Sequence, residues 1–252
     1  MSGAMKCSPI HIENIPNTIK LIDEYIFTPL NISNKYWTCD IGSVGKKPVS
    51  GDIDIAVDIE HCNPEEIVDH VKDIGLDYRS TGGAIANIAF PIGGETQKGE
   101  YVQVDIFPTK SLEFTKFARF SPTLEESKFS GGMRSDLLGI LIKYCTMITA
   151  GCQISYISLK QDGAYRTVRL NENSKVKVME DKLITDKPEE LLEKVFGRKY
   201  NIKHFNSVES ILGIMFDEDF DYKHVIKDVL RRFKEIEERK EREIPNEVKN
   251  YD

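Results

Sequence analysis

Ile41-Gly42-Ser43-Val44-Gly45-Lys46-Lys47-Pro48-Val49-Ser50-Gly51-Asp52-Ile53-Asp54-Ile55-Ala56-Val57-Asp58 is the stretch from which the rest of the chain can be read. An apolar run from Trp37 to Ile41 meets Gly-Ser, a flexible basic loop follows, and Gly-Asp-Ile-Asp-Ile opens a second strand. Side chains alternate faces along a strand, so Asp52 and Asp54 point the same way, with Cα atoms about 6–7 Å apart. Two carboxylates at a strand mouth suit a hard divalent cation such as Mg²⁺ or Mn²⁺. Gly42 and Ser43, ending the preceding strand, offer backbone N–H groups and a hydroxyl to a phosphate. Asp58 shares the parity of Asp54 but lies roughly 13 Å along the strand, beyond reach of the same ions.

Other readings of this stretch fare worse. A phosphate-binding P-loop needs Gly-x4-Gly-Lys-Ser/Thr. Ending that pattern at Gly45-Lys46 puts Asp40 where the first glycine belongs and Lys47 where the hydroxyl belongs. An ordinary hairpin with solvated acids leaves a third carboxylate unexplained. That acid is Asp105, inside the strand-like run Tyr101-Val-Gln-Val-Asp105-Ile-Phe107.

Gly-Ser, a short loop, Ser-Gly-Asp-Ile-Asp and a later strand-borne Asp together resemble the signature of the DNA polymerase beta nucleotidyltransferase superfamily. The resemblance covers roughly residues 15 to 110, with weaker support to about 150. It implies a mixed sheet with flanking helices that carries the acids together; with the smaller β-hairpin and helical part read from the residue pattern beyond Gly151, the expected fold class is α+β. It implies Asp52, Asp54 and Asp105 as catalytic residues and ligands of two Mg²⁺ (or Mn²⁺) ions. It also implies Gly42, Ser43, Lys46, Ser50 and Gly51 as a nucleotide-binding loop, with Lys47 able to replace Lys46. The activity implied moves a nucleoside monophosphate from a nucleoside triphosphate such as ATP to an acceptor, with release of pyrophosphate. The run Ser127-Lys-Phe-Ser-Gly-Gly-Met-Arg-Ser-Asp-Leu-Leu138 also resembles nucleotidyltransferase-like proteins carried by bacteriophages, a likeness that assigns no substrate.

At 252 residues the chain fits one large or two small domains. With 40% hydrophobic and 30% charged residues its composition is that of a globular protein that can bury a core. No apolar run reaches the roughly 18 residues of a membrane span, and no secretory signal pattern opens the chain. Met1-Ser-Gly-Ala reads as residual cloning sequence before a native Met5. Five cysteines (Cys7, Cys39, Cys62, Cys145, Cys152) lack any Cys-x-x-Cys pair and read as free thiols in a reducing cytoplasm, that of the host if the gene is phage-borne. The five histidines fall at no metal or triad spacing. A net charge of −7 argues against a long duplex-binding groove, while leaving room for a short contact with an RNA end.

In chain order, residues 14–30 read as a helix with Asn14 as cap and Pro29 as stop. Strands are expected at 36–41 and 52–59, then a helix capped by Asn63-Pro64 and stopped by Gly75. Strands at 76–81, 84–91 and 100–107 follow, with turns at Gly82-Gly83 and Gly93-Gly94. Residues 110–132 look irregular, and their phenylalanines read either as a base-stacking surface between basic residues or, the favoured reading, as core packing of a loop against the sheet. A helix is expected over 136–148. Gly131-Gly132, Arg134 and Ser135 at its start would hold an anion, and Lys143 shares a turn-face with Gly139 and Asp136; the alternative is that Ser135 or Asp136 caps the helix and Lys143 is solvated. The composition changes near 149–153, which suggests domains 1–150 and 151–252. The second part should hold a basic hairpin (154–159 and 165–170), a further strand at 175–179, helices after Thr185, over 207–215 and over 223–238, and a frayed charged tail.

Three alternatives to an RNA-end nucleotidyltransferase remain open on sequence. These are a toxin-type enzyme acting on tRNA or a protein, an enzyme modifying a small molecule, and a catalytically silent binding or scaffold protein of the same fold. All three acids are present, which favours an enzyme. No feature fixes the base, the acceptor or the oligomeric state.

Overall fold

The computed structural model describes residues 6–79, 83–172 and 175–251. The expected Gly82 half of a turn, and the end of the strand before it, lie outside these residues. The chain is α+β, divided into two compact units, Met1–Lys116 and Phe117–Asp252. The division falls well before the composition change near 150. The long helix α4 (Gly131–Cys145) accounts for this, because it packs on elements that follow it within the second unit.

The first unit is built on a five-stranded sheet. Its strands are β2 (Trp37–Thr38), β4 (Asp52–Asp58), β5 (Tyr78–Arg79), β6 (Ala86–Pro91) and β7 (Tyr101–Thr109), in the order β2-β4-β7-β6-β5. Only the β4–β7 pair is parallel; the others run antiparallel. One face is apolar. Ile53, Ile55, Val57, Val104, Ile106 and Ile88 are buried there with Ile22, Ile26, Phe27, Ile67 and Val71 from the helices. Each such side chain contributes about 1.5–3 kcal/mol by leaving water.

Two helices cover that face. α1 (Ile15–Ile22) continues into a wider π-type turn over Asp23–Phe27, as the apolar stripe at 14–30 predicts. α2 (Pro64–Asp73) has Asn63 as its cap: Oδ1 accepts from the Glu65 N–H at 3.0 Å, and Gly75 follows the helix at φ +75°. Asn14 differs from expectation. It is buried and makes no cap bond; its Nδ2 donates to Thr96 and Gln97 instead. Gln97 in turn accepts from the His11 N–H and donates to the Pro9 carbonyl, so this polar knot ties the N-terminal segment to the 93–97 turn. Gly93 lies so close to α1 that a Cβ would stand 2.8 Å from Leu21 and 2.9 Å from the Asn17 backbone.

The basic loop before β4 is not free at its far end. β3 (Val49–Ser50) pairs antiparallel with β1 (Ile10–His11), a two-stranded sheet that the sequence pattern does not announce. The first expected strand, 36–41, is regular only at Trp37–Thr38. Short helix α3 (Leu112–Ala118) occupies part of the stretch expected to be irregular, with Phe114 and Phe117 buried, so these rings belong to the core.

In the second unit a four-stranded antiparallel sheet has the order β11-β10-β9-β8. Its strands are β8 (Ile148–Ala150), β9 (Gln153–Leu159), β10 (Ala164–Glu172) and β11 (Lys175–Thr185), the last much longer than expected. Helix α4 packs on β9 and on α6 (Val208–Phe216) and α7 (Ile226–Arg239), while α5 (Pro188–Phe196) follows β11. α4 begins five residues earlier than expected. Its cap is Ser130, whose Oγ accepts from the Met133 N–H at 3.2 Å, and neither Ser135 nor Asp136 serves. The charged tail does not fray throughout: Ile244 and Val248 are buried, and α8 (Asn246–Lys249) contacts α7.

Arg134 is the largest fully buried side chain of this unit. Its Nε donates to the Phe205 carbonyl and its Nη1 to the Phe117 carbonyl, both at 2.6 Å. The guanidinium lies 5.1 Å from the Phe117 ring centre. Burial lowers its pKa to about 9, so it remains charged at neutral pH. Truncation would take the buried Arg134 donors from the Phe205 and Phe117 carbonyls and open a cavity. Arg134→Ala should therefore cost about 3–5 kcal/mol, whereas exposed Lys128→Ala should stay within about 0.5 kcal/mol. Chemical denaturation followed by circular dichroism distinguishes them, and equal stability of both variants would contradict this role.

Candidate functional site

Strand register decides what the acids of the first unit can do together. In the parallel β4–β7 pair, Asp54 stands opposite Asp105 and Asp52 opposite Gln103. On the other side of β7, Asn87 of β6 stands opposite Asp105 and Ala89 opposite Gln103. Directly paired residues share a face. The row Asp54–Asp105–Asn87 therefore crosses three strands, with Asp52–Gln103 one step behind it. The alternating apolar residues Ile53, Ile55, Val104 and Ile106 go to the core, which leaves this polar face opposite the helices. The expectation that Asp52, Asp54 and Asp105 come to one face thus agrees with the register.

Asp105 is nearly buried, and two amides bind it. Asn87 Nδ2 donates to its Oδ1 at 2.5 Å, and Gln103 Nε2 donates to its two oxygens at 2.9 and 3.1 Å. Neither amide was singled out from the sequence. Their signal was available only through register, since each faces Asp105 once the strands are paired. Asp52 has its pKa raised, first by burial and then by the Asp105 charge, with Lys47 opposing. Asp58 behaves as expected of an outsider: it accepts from the Glu60 N–H at 2.9 Å and pairs with His61.

The loop residues divide. Gly42 has φ +64°, and a Cβ there would collide with the Asp54 carboxylate, so the Gly-Ser turn sits directly against the acid. Ser50 is fully buried and its Oγ donates to the Ser43 carbonyl at 3.2 Å, so this hydroxyl is spent on closing the loop and not on a nucleotide. Gly51 is exposed beside Asp52. Lys46 pairs with Asp40 at 3.2 Å, and it is Lys47 whose charge is felt at Asp52. Of the two lysines, Lys47 is the one placed to act at the acidic face.

Arg134 and Lys143 belong to the second unit. Arg134 points inward to backbone carbonyls and has no surface to offer a nucleotide, which corrects its expected role. Lys143, nine residues further along α4, is half-buried and lines an open pocket.

Among the described residues, no three His, Cys, Asp or Glu side chains are grouped as metal ligands. The chemistry of the donors still fits a hard divalent ion, because carboxylate oxygens gathered on one face, with Asp52 held above its ordinary pKa by burial and by the Asp105 charge, are donors a dication would stabilise. No protein-family model matches this chain, and no curated protein does. Among the described residues no helix is long and apolar enough to cross a membrane.

A raised carboxyl pKa has a sign that stability can report. The native state holds a proton that the unfolded chain has already released. Stability is therefore lost as pH rises from the ordinary Asp range through the folded-state value. At neutral pH, ionised Asp52 works against the fold. Asp52→Asn should raise the melting temperature of the metal-free protein by about 1–3 °C at neutral pH and leave it unchanged in acid. A scanning-calorimetry series across pH tests this; a destabilised variant at neutral pH would be the contrary result.

Proposed function

We propose that the acidic face of the first unit catalyses divalent-metal-dependent nucleotidyl transfer. The observation that supports this most is the register that sets Asp54 beside Asp105, with Asp52 on the same face and the Gly42 turn against Asp54. In this reading the chain resembles the DNA polymerase beta superfamily in its equipment as well as in its motif.

Asp52, Asp54 and Asp105 would hold the metal. The ions, when bound, lower the pKa of an acceptor hydroxyl and neutralise charge on the triphosphate and leaving group. The protein's own residues then have separate tasks. Asn87 and Gln103 hold the Asp105 carboxylate by hydrogen bonds on the sheet face it shares with Asp54. The Gly42-Ser43 turn presents backbone donors to phosphate oxygens, and Lys47 adds a positive charge next to Asp52. The acceptor oxygen bonds to the α-phosphorus, the bond from that phosphorus to the β-phosphate oxygen breaks, and pyrophosphate leaves. The acceptor's proton passes to solvent or to Asp105. An RNA 3′ end is the favoured acceptor, with proteins and small molecules as the alternatives.

Transfer of label from an α-phosphate-radiolabelled nucleoside triphosphate, with Mg²⁺ or Mn²⁺, to RNA, lysate protein or small metabolites measures the activity directly. Asp52→Ala and Asp105→Ala should each lower transfer at least about a hundredfold, since several kcal/mol of charge stabilisation go with the metal site. Gln103→Ala should have a smaller effect, because it removes an orienting group only. Equal labelling by wild type and the Asp variants would refute the assignment. So would the absence of both labelling and divalent-dependent triphosphate binding.

A further inference from the structure

The second unit carries a pocket of about 490 Å³ whose charge runs against that of the whole chain. Four cationic side chains, Arg119, Lys143, Lys160 and Arg232, line it, with Asp136 as the one carboxylate. Asp136 is already engaged by Lys240 and by Arg242 at 3.4 Å. Lys160 and Arg232 have carboxylate partners of their own in Asp181 and Glu235. Lys143 does not: among the described residues no carboxylate lies within ion-pair distance of it. Its Nζ rests 4.8 Å from the centre of the Tyr156 ring, and Arg169 stands 5.5 Å from the same centre. Burial, then the charges of Arg169 and Arg232, lower the Lys143 pKa.

An ammonium held half out of water near the Arg169 and Arg232 guanidinium groups, packed against the Tyr156 ring and without a carboxylate in ion-pair distance among the described residues, is unfavourable unless an anion joins it. Ser135 and Ser158 add hydroxyl donors at the pocket wall, and Tyr144 and Tyr156 add flat faces. The volume exceeds what one small anion needs and lies within the usual range of ligand pockets, about 300–1,000 Å³. Several converging cations match a ligand with more than one negative charge, and phosphate oxygens suit both guanidinium and ammonium donors.

We propose that this pocket is a metal-independent binding site for a phosphate-rich ligand, either a free oligophosphate or the phosphorylated end of a nucleic-acid strand, with Lys143 as its central contact. The site lies wholly in the second unit and uses none of the acidic-strand residues. It therefore goes beyond nucleotidyl transfer and stands or falls separately.

Calorimetric titration of the full chain in chelator tests it, with inorganic tripolyphosphate, a 5′-phosphorylated oligonucleotide and its 5′-hydroxyl counterpart as probes. Binding of tripolyphosphate identifies the free-oligophosphate source. Binding of the phosphorylated strand in preference to the hydroxyl strand identifies the strand end. In either case Lys143→Glu should weaken binding at least about tenfold, the scale of one charge-assisted hydrogen bond. Arg232→Gln, at a half-exposed position, should weaken it in the same direction and guards against a folding defect in the first variant. Asp52→Asn should bind like wild type. The proposal is overturned if no probe binds, if both strands bind equally with no effect of Lys143→Glu, or if Asp52→Asn abolishes binding.

Discussion

The pairing of Asp54 with Asp105 across two parallel strands is the constraint on which the first unit depends. Parallel neighbours cannot be joined by a tight turn, so the chain between them must leave the sheet and return. Here it does so through α2 and the β5–β6 hairpin, and β6 comes back antiparallel on the far side of β7. That placement sets Asn87 next to Asp105. The same register puts Ile53 and Ile55 beside Val104 and Ile106 on the opposite face, where α1 and α2 bury them. A slip of one residue would send the acids into the core and the isoleucines into water, so hydrophobic burial itself enforces the juxtaposition of like charges. Burial first and the Asp105 charge second raise the pKa of Asp52, with Lys47 opposing, while two amide donors bind Asp105 itself.

What could be read from the sequence follows from which interactions are local. Alternation in Asp52-Ile-Asp-Ile fixed the common face of two acids, because strand parity needs no partner. The Asn63-Pro64 cap was legible for the same reason. Asn87 and Gln103 were not, since their role exists only once β6 and β7 are paired. A serine beside Gly-Asp looks like a phosphate ligand, but Ser50 lies in β3, paired with β1, and its hydroxyl bonds the Ser43 carbonyl. Asn14 looked like a cap and became part of a buried polar knot with Gln97, more than 80 residues away, where propensity yields to tertiary bonding.

The α4 helix shows the same limit in the second unit. Gly131-Gly132, Arg134 and Ser135 have the composition of an anion site at a helix start. Yet Ser130 is the cap, Gly131 lies against Ser121, and Arg134 is drawn inward by two carbonyls. Composition alone could not decide which of Arg134 and Lys143 faces water. Their nine-residue spacing, two and a half turns, puts them on opposite sides of the helix, so burying one exposes the other. The division of the chain follows from the same helix. α4's apolar side chains belong with β9, α6 and α7, and this outweighs the composition change that follows it.

The pocket beside Lys143 depends in turn on how the C-terminal segment is held. Glu237 is fully buried on α7, and its carboxyl pKa is raised by burial against the opposing charge of Arg242, 3.2 Å away. Arg242 also reaches Asp136, and Lys240 joins it there. Lys240 and Arg242, just after α7, are thus paired with two carboxylates, one interior and one at the pocket wall. Without them Asp136 would be an unpaired anion at the rim and would neutralise part of the field that Arg119, Lys143 and Arg232 create. The tail's cations keep that acid silent and the tail's apolar residues, Ile244 and Val248, anchor them in position. A charged segment that reads as solvated sequence is in this way part of what makes the pocket cationic.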